Sequence, residues 1–290
     1  MARDRSRARS VGVRWLLAGL LLLGGVGSAH AAERIVSIGG AVTEIVYALG
    51  AADRLVAVDS TSTWPPEADG LPDVGYMRRL SAEPIVAMRP DLVIAVEGSG
   101  PDSAIEQLRG AGVAVELVPE GYSAEAIAAK VERVAALLGR EEQGAVLADR
   151  VRAAMAGVER KVAATGERPR VLFLMSASRG APMAAGLHTA ADAVIRLAGG
   201  QNVVEGYAGY KALSPEATVK AAPDYVLAMR DTVEAMGGPE RLLALPELSV
   251  KPDTRVVAMD GLLLLGFGPR TPEAVRDLAA TLHPDMPRGD

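Results

Sequence analysis

The sequence predicts an α/β protein of two similar lobes with parallel sheets, joined by a single long backbone helix. Short β-branched runs alternate with helical segments, one proline-free helical stretch is far longer than the rest, and a block of motifs recurs at a fixed offset.

Arg34 to Ile38 is a β-branched run that stops at Gly39-Gly40. Ala41 to Leu49 has helical spacing and closes on Gly50, so strand, tight turn and helix follow one another. Leu55 to Val58 reads as a second strand, Asp59 to Asp73 as a proline-rich loop and Leu92 to Val96 as a third strand. Ala104 to Gly110 is a helix, Ala114 to Val118 a strand, and Ala124 to Leu138 an amphipathic helix ending at Gly139. Such alternation implies parallel βαβ units. Residues 140–165 place Val146, Leu147, Val151, Met155, Val158 and Val162 three or four apart. A helix of that length measures about 37 Å, right for a strut between two domains. The pattern then restarts, with strands at Val171 to Met175 and Tyr225 to Ala228 and a helix at Thr189 to Ala198.

Leu80-Ser81-Ala82-Glu83 and Pro90-Asp91-Leu92-Val93 recur as Leu213-Ser214-Pro215-Glu216 and Pro223-Asp224-Tyr225-Val226, both 133 residues later, and Gly75-Tyr76 recurs as Gly209-Tyr210 at 134. The expected organisation is therefore a Rossmann-like lobe over 32–139, a linking helix over 140–165 and a second lobe over 166–290. Ligands of open α/β sheets sit at the carboxyl ends of the strands, so two such lobes make a cleft.

Residues 1–31 read as a signal peptide: Arg3, Arg5, Arg7, Arg9 and Arg14, the apolar run Trp15 to Leu23, and Ala29-His30-Ala31 as a cleavage site. The apolar run is too short for a bilayer, which needs roughly 20 residues. Cleavage after Ala31 leaves 259 of the 290 residues, with 26 basic against 35 acidic groups, a net charge of −9. The expected location is the periplasm, without stable membrane insertion. Lack of cysteine excludes disulfides, thiolate zinc sites, iron–sulfur clusters and covalent haem attachment. Negative charge and only 3% aromatic residues argue against nucleic acid as a partner.

The arrangement resembles the substrate-binding proteins of ABC importers whose lobes are joined by one long helix, a class that carries haem, cobalamin and iron–siderophores. Within it, Asp73-Val74-Gly75-Tyr76-Met77-Arg78-Arg79-Leu80-Ser81-Ala82-Glu83, Met183 to Asp192 and Met259 to Arg270 resemble the periplasmic haem-binding proteins. The resemblance covers nearly all of the mature chain. It implies a non-enzymatic monomer that holds one haem and delivers it to a permease. Acid–base or nucleophile motifs are absent: there is no Gly-x-Ser-x-Gly, His-Glu-x-x-His or Walker loop, so an exported α/β enzyme is a distant alternative. Cobalamin or a ferric siderophore is the nearer one.

A tyrosine ionises near pH 10 in water, and both ferric iron and a neighbouring guanidinium favour its phenolate. Gly75-Tyr76-Met77-Arg78 offers this combination; in an extended segment Arg78 would point to the side of Tyr76. The resemblance implies Tyr76 as axial ligand, with Arg78 bonding its oxygen or a propionate. Tyr207 and Tyr210 also lie in glycine-bracketed loops, where aromatics often mark binding; Tyr210 could line the pocket. Tyr47 and Tyr225 read as core, and Tyr122 as packing at a helix start. Arg79, Arg230 and Arg179, the last two just past strand ends, are further propionate candidates. Ala177 and Ser178 stand where some relatives carry a histidine, and His188 reads as a cap-region residue, so iron with a single tyrosine ligand is expected. Met77, Met175 and Met183 read as fillers rather than soft ligands. Glu83 and Glu216 begin equivalent helices; first-turn acids suit a helix dipole, and the resemblance implies that they dock onto permease arginines.

Overall fold

The computed structural model describes residues 32–176, 182–248 and 250–286. Arg179, Ala177, Ser178 and the 1–31 segment lie outside them.

The first half contains β1 (Ile35–Ile38), α1 (Gly40–Ala48), β2 (Leu55–Val58), α2 (Ala82–Ala87), β3 (Leu92–Val96), α3 (Asp102–Gly110), β4 (Ala114–Val118) and α4 (Ala124–Leu138). Its four strands pair in the order β2-β1-β3-β4, all parallel. β1 and β3 are buried on both faces, which is why they read as continuous apolar runs. Ser123 caps α4 by accepting from the Ala126 N–H at 3.1 Å, and Gly139 ends it in the left-handed conformation.

α5 (Glu141–Ala163) is the long helix; its 23 residues span about 34 Å. Its first half runs back along α4. Gly144 permits the close approach, since a Cβ there would stand 2.3 Å from the Ala135 Cβ, and Arg152 reaches Glu125 and Glu132 at 3.1 and 3.0 Å. Its far end meets the second half, where Val162 packs by Gly199. Leu147, Ala148, Val151, Met155 and Val158 are buried, so the helix is more than a strut.

The second half follows with β5 (Arg170–Ser176), β6 (Met183–Ala185), α6 (Ala190–Leu197), β7 (Gln201–Asn202), β8 (Tyr210–Ala212), α7 (Pro215–Ala221), β9 (Tyr225–Met229), α8 (Arg230–Ala235), α9 (Pro239–Leu243), β10 (Arg255–Met259), α10 (Gly261–Leu265) and α11 (Thr271–Leu282). Its sheet runs β10-β9-β5-β6-β8, with β7 on the amino end of β5. The strand pattern departs here from the all-parallel expectation: β6 is antiparallel to both β5 and β8. Three-residue strands carry little local signal and are held by long-range pairing, so periodicity does not reveal them.

One apolar core spans both halves, taking in Ile35 and Ile94, the inner faces of α4 and α5, then Val171 and Phe173 and the inner faces of α6 and α11. Two smaller cores cover the other sheet faces, one around Val36, Val93 and Ile105, the other around Leu172, Val226 and Leu242. No described helix is long and apolar enough to cross a membrane.

Candidate functional site

The carboxyl edge of the first sheet is built around Asp59. This buried carboxylate accepts hydrogen bonds from the Gly39 N–H at 2.8 Å, the Ser62 hydroxyl at 2.9 Å and the Thr61 N–H at 3.2 Å, fixing the loop after β2 over the end of β1. The loop returns along β2, with the Val74 N–H donating to the Val58 carbonyl at 2.9 Å and the Ser60 N–H to the Gly75 carbonyl at 3.1 Å. Gly75 turns the chain at φ 98°, a conformation only glycine adopts freely. Tyr76 follows in extended backbone, and Met77–Arg79 form a 3-10 turn tied to the loop after β3: the Gly100 N–H donates to the Met77 carbonyl and the Leu80 N–H to the Gly100 carbonyl. Tyr76 is thus held at its backbone while its side chain remains 41% exposed.

The turn corrects the extended Tyr76–Arg78 segment expected from the sequence. Arg78 instead lies against the next loop, its Nη1 3.4 Å from where a Cβ on Gly98 would stand. From there its charge acts on both Tyr122 and Tyr210, and Tyr210 also feels Tyr122. The Arg78 charge therefore favours the phenolate of both tyrosines, one from each half of the chain. Tyr122 packs as expected, edge-on against Phe267 with ring centroids 4.9 Å apart. Burial, and then its neighbour Tyr122, push the Tyr210 phenol up to about 12; hydrogen bonds with Thr189 and the Ala191 N–H and the Arg78 charge oppose this. Burial likewise raises Tyr122, with Glu120 adding to it. Tyr210 is therefore a neutral phenol at physiological pH.

The segment from α10 into α11 crosses to the first half. Lys130, wholly buried on α4, donates to the Phe267 carbonyl at 3.3 Å and pairs with Glu120 at 3.2 Å. Its burial depresses the ammonium pKa, against the opposing pull of Glu120. Three residues on, Arg270 pairs with buried Glu44 of α1 at 3.2 Å and stacks over Trp64 at 4.3 Å from the ring centre. Burial raises the Glu44 pKa, and the Arg270 charge counteracts it. These two ties, and the Tyr122 contact, hold the two halves at a set separation. Lys130 was legible in principle: it falls on the apolar stripe of α4 between Ile127 and Val134.

The other expected residues fall as follows. Arg230 is exposed at the carboxyl end of β9. Glu83 and Glu216 are exposed in the first turns of α2 and α7. Met77 packs into two cores, as a filler would. His188 sits in the cap region of α6, its N–H donating to Asp192 at 3.0 Å. Tyr207 is structural, against the expectation from its loop position: its hydroxyl donates to the Ala184 carbonyl at 3.2 Å, and Gly186 leaves room for its backbone and ring. Tyr225 is core, as expected.

Solved structures share this architecture. The periplasmic heme-binding protein RhuT from Roseiflexus sp. RS-1, in apo form, is 40% identical with a TM-score of 0.84, over 87% of this chain and 98% of that one. The periplasmic heme-binding protein BhuT in complex with two hemes is 42% identical with a TM-score of 0.82, over 88% and 99%. The vitamin B12-binding protein of Yersinia pestis (strain Pestoides F) is 30% identical over 175 residues, which are 60% of this chain and 61% of that protein. Residues 35–252 match the family described as periplasmic binding protein. With two sheets joined by one long helix, the chain belongs to the periplasmic binding protein family.

Proposed function

We propose that the chain is an exported substrate-binding protein that captures one ferric haem between its two lobes, with Tyr76 as the axial ligand to iron, and delivers it to an ABC permease. In this reading residues 1–31 are removed after export, and the lobes are 32–139 and 166–290. The observation that carries it is the tyrosine at 76: exposed, yet fixed through its backbone at the carboxyl edge of the first sheet, at the start of the turn that carries Arg78. Phenolate is a hard anionic donor suited to ferric iron. Haem also needs cations for its propionates and an apolar slot. Arg78 and Arg230 come from opposite lobes to meet the first need, and exposed Tyr76 and Trp64 on loops and Met183 at the start of β6 supply apolar surface. Similarity to RhuT and BhuT supports haem over other cargo. Glu83 and Glu216, one exposed acid per lobe, are the docking contacts to permease arginines.

Tyr210 lines the pocket as a hydrogen-bonding phenol. Tyr76 provides one phenolate for one iron, which gives one haem per chain in this reading, although BhuT holds two. Hemin titrated into the purified chain should reach its endpoint at one equivalent, while cyanocobalamin should leave the protein spectroscopically and calorimetrically unchanged. A two-to-one endpoint would overturn the single site. Cyanocobalamin binding without hemin binding would transfer the function to cobalamin.

A further inference from the structure

The rim helices match beyond their glutamates. At the repeat offset of 133, Leu80 and Leu213 are both buried, Ser81 and Ser214 both exposed, Glu83 and Glu216 both exposed, and Ile85 and Thr218 both buried. One further pair breaks the rule for a solvated face. Val86 is 37% exposed and its equivalent Val219 is 60% exposed, each three residues after its glutamate. Residues three apart share a helix face, so each lobe presents one acid and one valine together. A single exposed valine needs no explanation. Here the same apolar residue stands exposed at both copies of a repeat whose neighbours have diverged, from Ala82 to Pro215, Pro84 to Ala217 and Ala87 to Lys220.

We propose that Glu83 with Val86 and Glu216 with Val219 are two copies of one docking patch. Their partner is a membrane-protein dimer that offers two equivalent sites, each a cation beside an apolar pocket. This rests on the docking role given to the glutamates above. The mature charge of −9 draws a cationic surface from a distance. The valines add a contact that does not weaken with salt. Two repeat-related patches on one chain fit a partner whose own halves are related by a two-fold axis.

The test uses full-length mature protein and the hemin permease with its ATPase subunits in nanodiscs, measuring affinity against ionic strength. Val86→Ser and Val219→Ser should each weaken docking by about tenfold, preserve the wild-type salt slope, and leave hemin affinity and melting temperature unchanged. Glu83→Gln with Glu216→Gln should flatten the salt slope. Docking of both valine variants at wild-type affinity, with the glutamate variants impaired, would overturn the patch. A loss confined to one lobe's valine would overturn its two-fold match. Wild-type docking by the glutamate variants would overturn the docking role itself.

Discussion

Lys130→Met and Glu120→Gln remove opposite ends of one buried pair, and their costs should fall in a definite order. Lys130 is 0% exposed and Glu120 is 27% exposed. Glu120→Gln therefore leaves a fully enclosed ammonium without its carboxylate, the situation in which breaking a buried pair costs about 3–5 kcal/mol. Lys130→Met leaves a carboxylate that water can reach. What remains is the Phe267 carbonyl without a donor, about 1–2 kcal/mol, partly offset because no ammonium has to be desolvated. The double variant should resemble Lys130→Met and be more stable than Glu120→Gln alone. Guanidinium unfolding at constant slope reads these differences as midpoint shifts. Burial depresses the folded-state pKa of Lys130 below its ordinary 10.5, so its charge costs stability below that folded value and the cost is relieved as pH rises toward 10.5. Lys130→Met should lose that gain. A neutral Glu120→Gln, or a double variant less stable than Glu120→Gln, would refute the reasoning.

Arg270→Met should cost about 3 kcal/mol by leaving Glu44 buried and unpaired, and should shift the fluorescence of Trp64 by uncovering its ring. Adding Glu44→Gln should recover part of the loss; an unshifted melting curve would contradict the pairing. Tyr210 has a folded-state pKa of about 12, against an ordinary 10. Its contribution to stability is thus fully present below pH 10 and is lost as pH rises through 12. In ultraviolet titration of the apo protein, Tyr210→Phe should remove the last tyrosine to ionise. Retention of that step would show that burial does not hold the phenol neutral.

The βαβ framework was legible because strands such as β1 and β3 are apolar on both faces and its helices carry explicit ends, such as Ser123 and Gly139. Leu55–Val58, Leu92–Val96, Ala114–Val118 and Ala124–Leu138 coincide with their expected bounds. The β6 and β8 strands were not legible, because three residues establish no period and their pairing is antiparallel and distant. The repeat and glycine bracketing single out Tyr76 and Tyr210; Tyr76 stands exposed in its loop, while Tyr210 opens β8. The extended reading of Tyr76–Arg78 failed because the two bonds between Met77, Leu80 and Gly100 impose a turn, and Gly100 is remote in sequence. Tyr207 misled for a related reason: its glycine neighbours make room for packing rather than for a ligand. The charged ties of Lys130 and Arg270 join residues 137 and 226 positions from their partners, a separation no local pattern encodes.

The central claim, that Tyr76 binds haem iron, is tested most directly by the absorption spectrum of the hemin complex. Wild type and Tyr210→Phe should both show the charge-transfer bands of a ferric tyrosinate. Tyr76→Phe, which keeps the ring and removes only the donor oxygen, should lose those bands and bind hemin on the order of hundredfold more weakly. An unaltered tyrosinate spectrum in Tyr76→Phe, or its loss in Tyr210→Phe instead, would contradict the assignment.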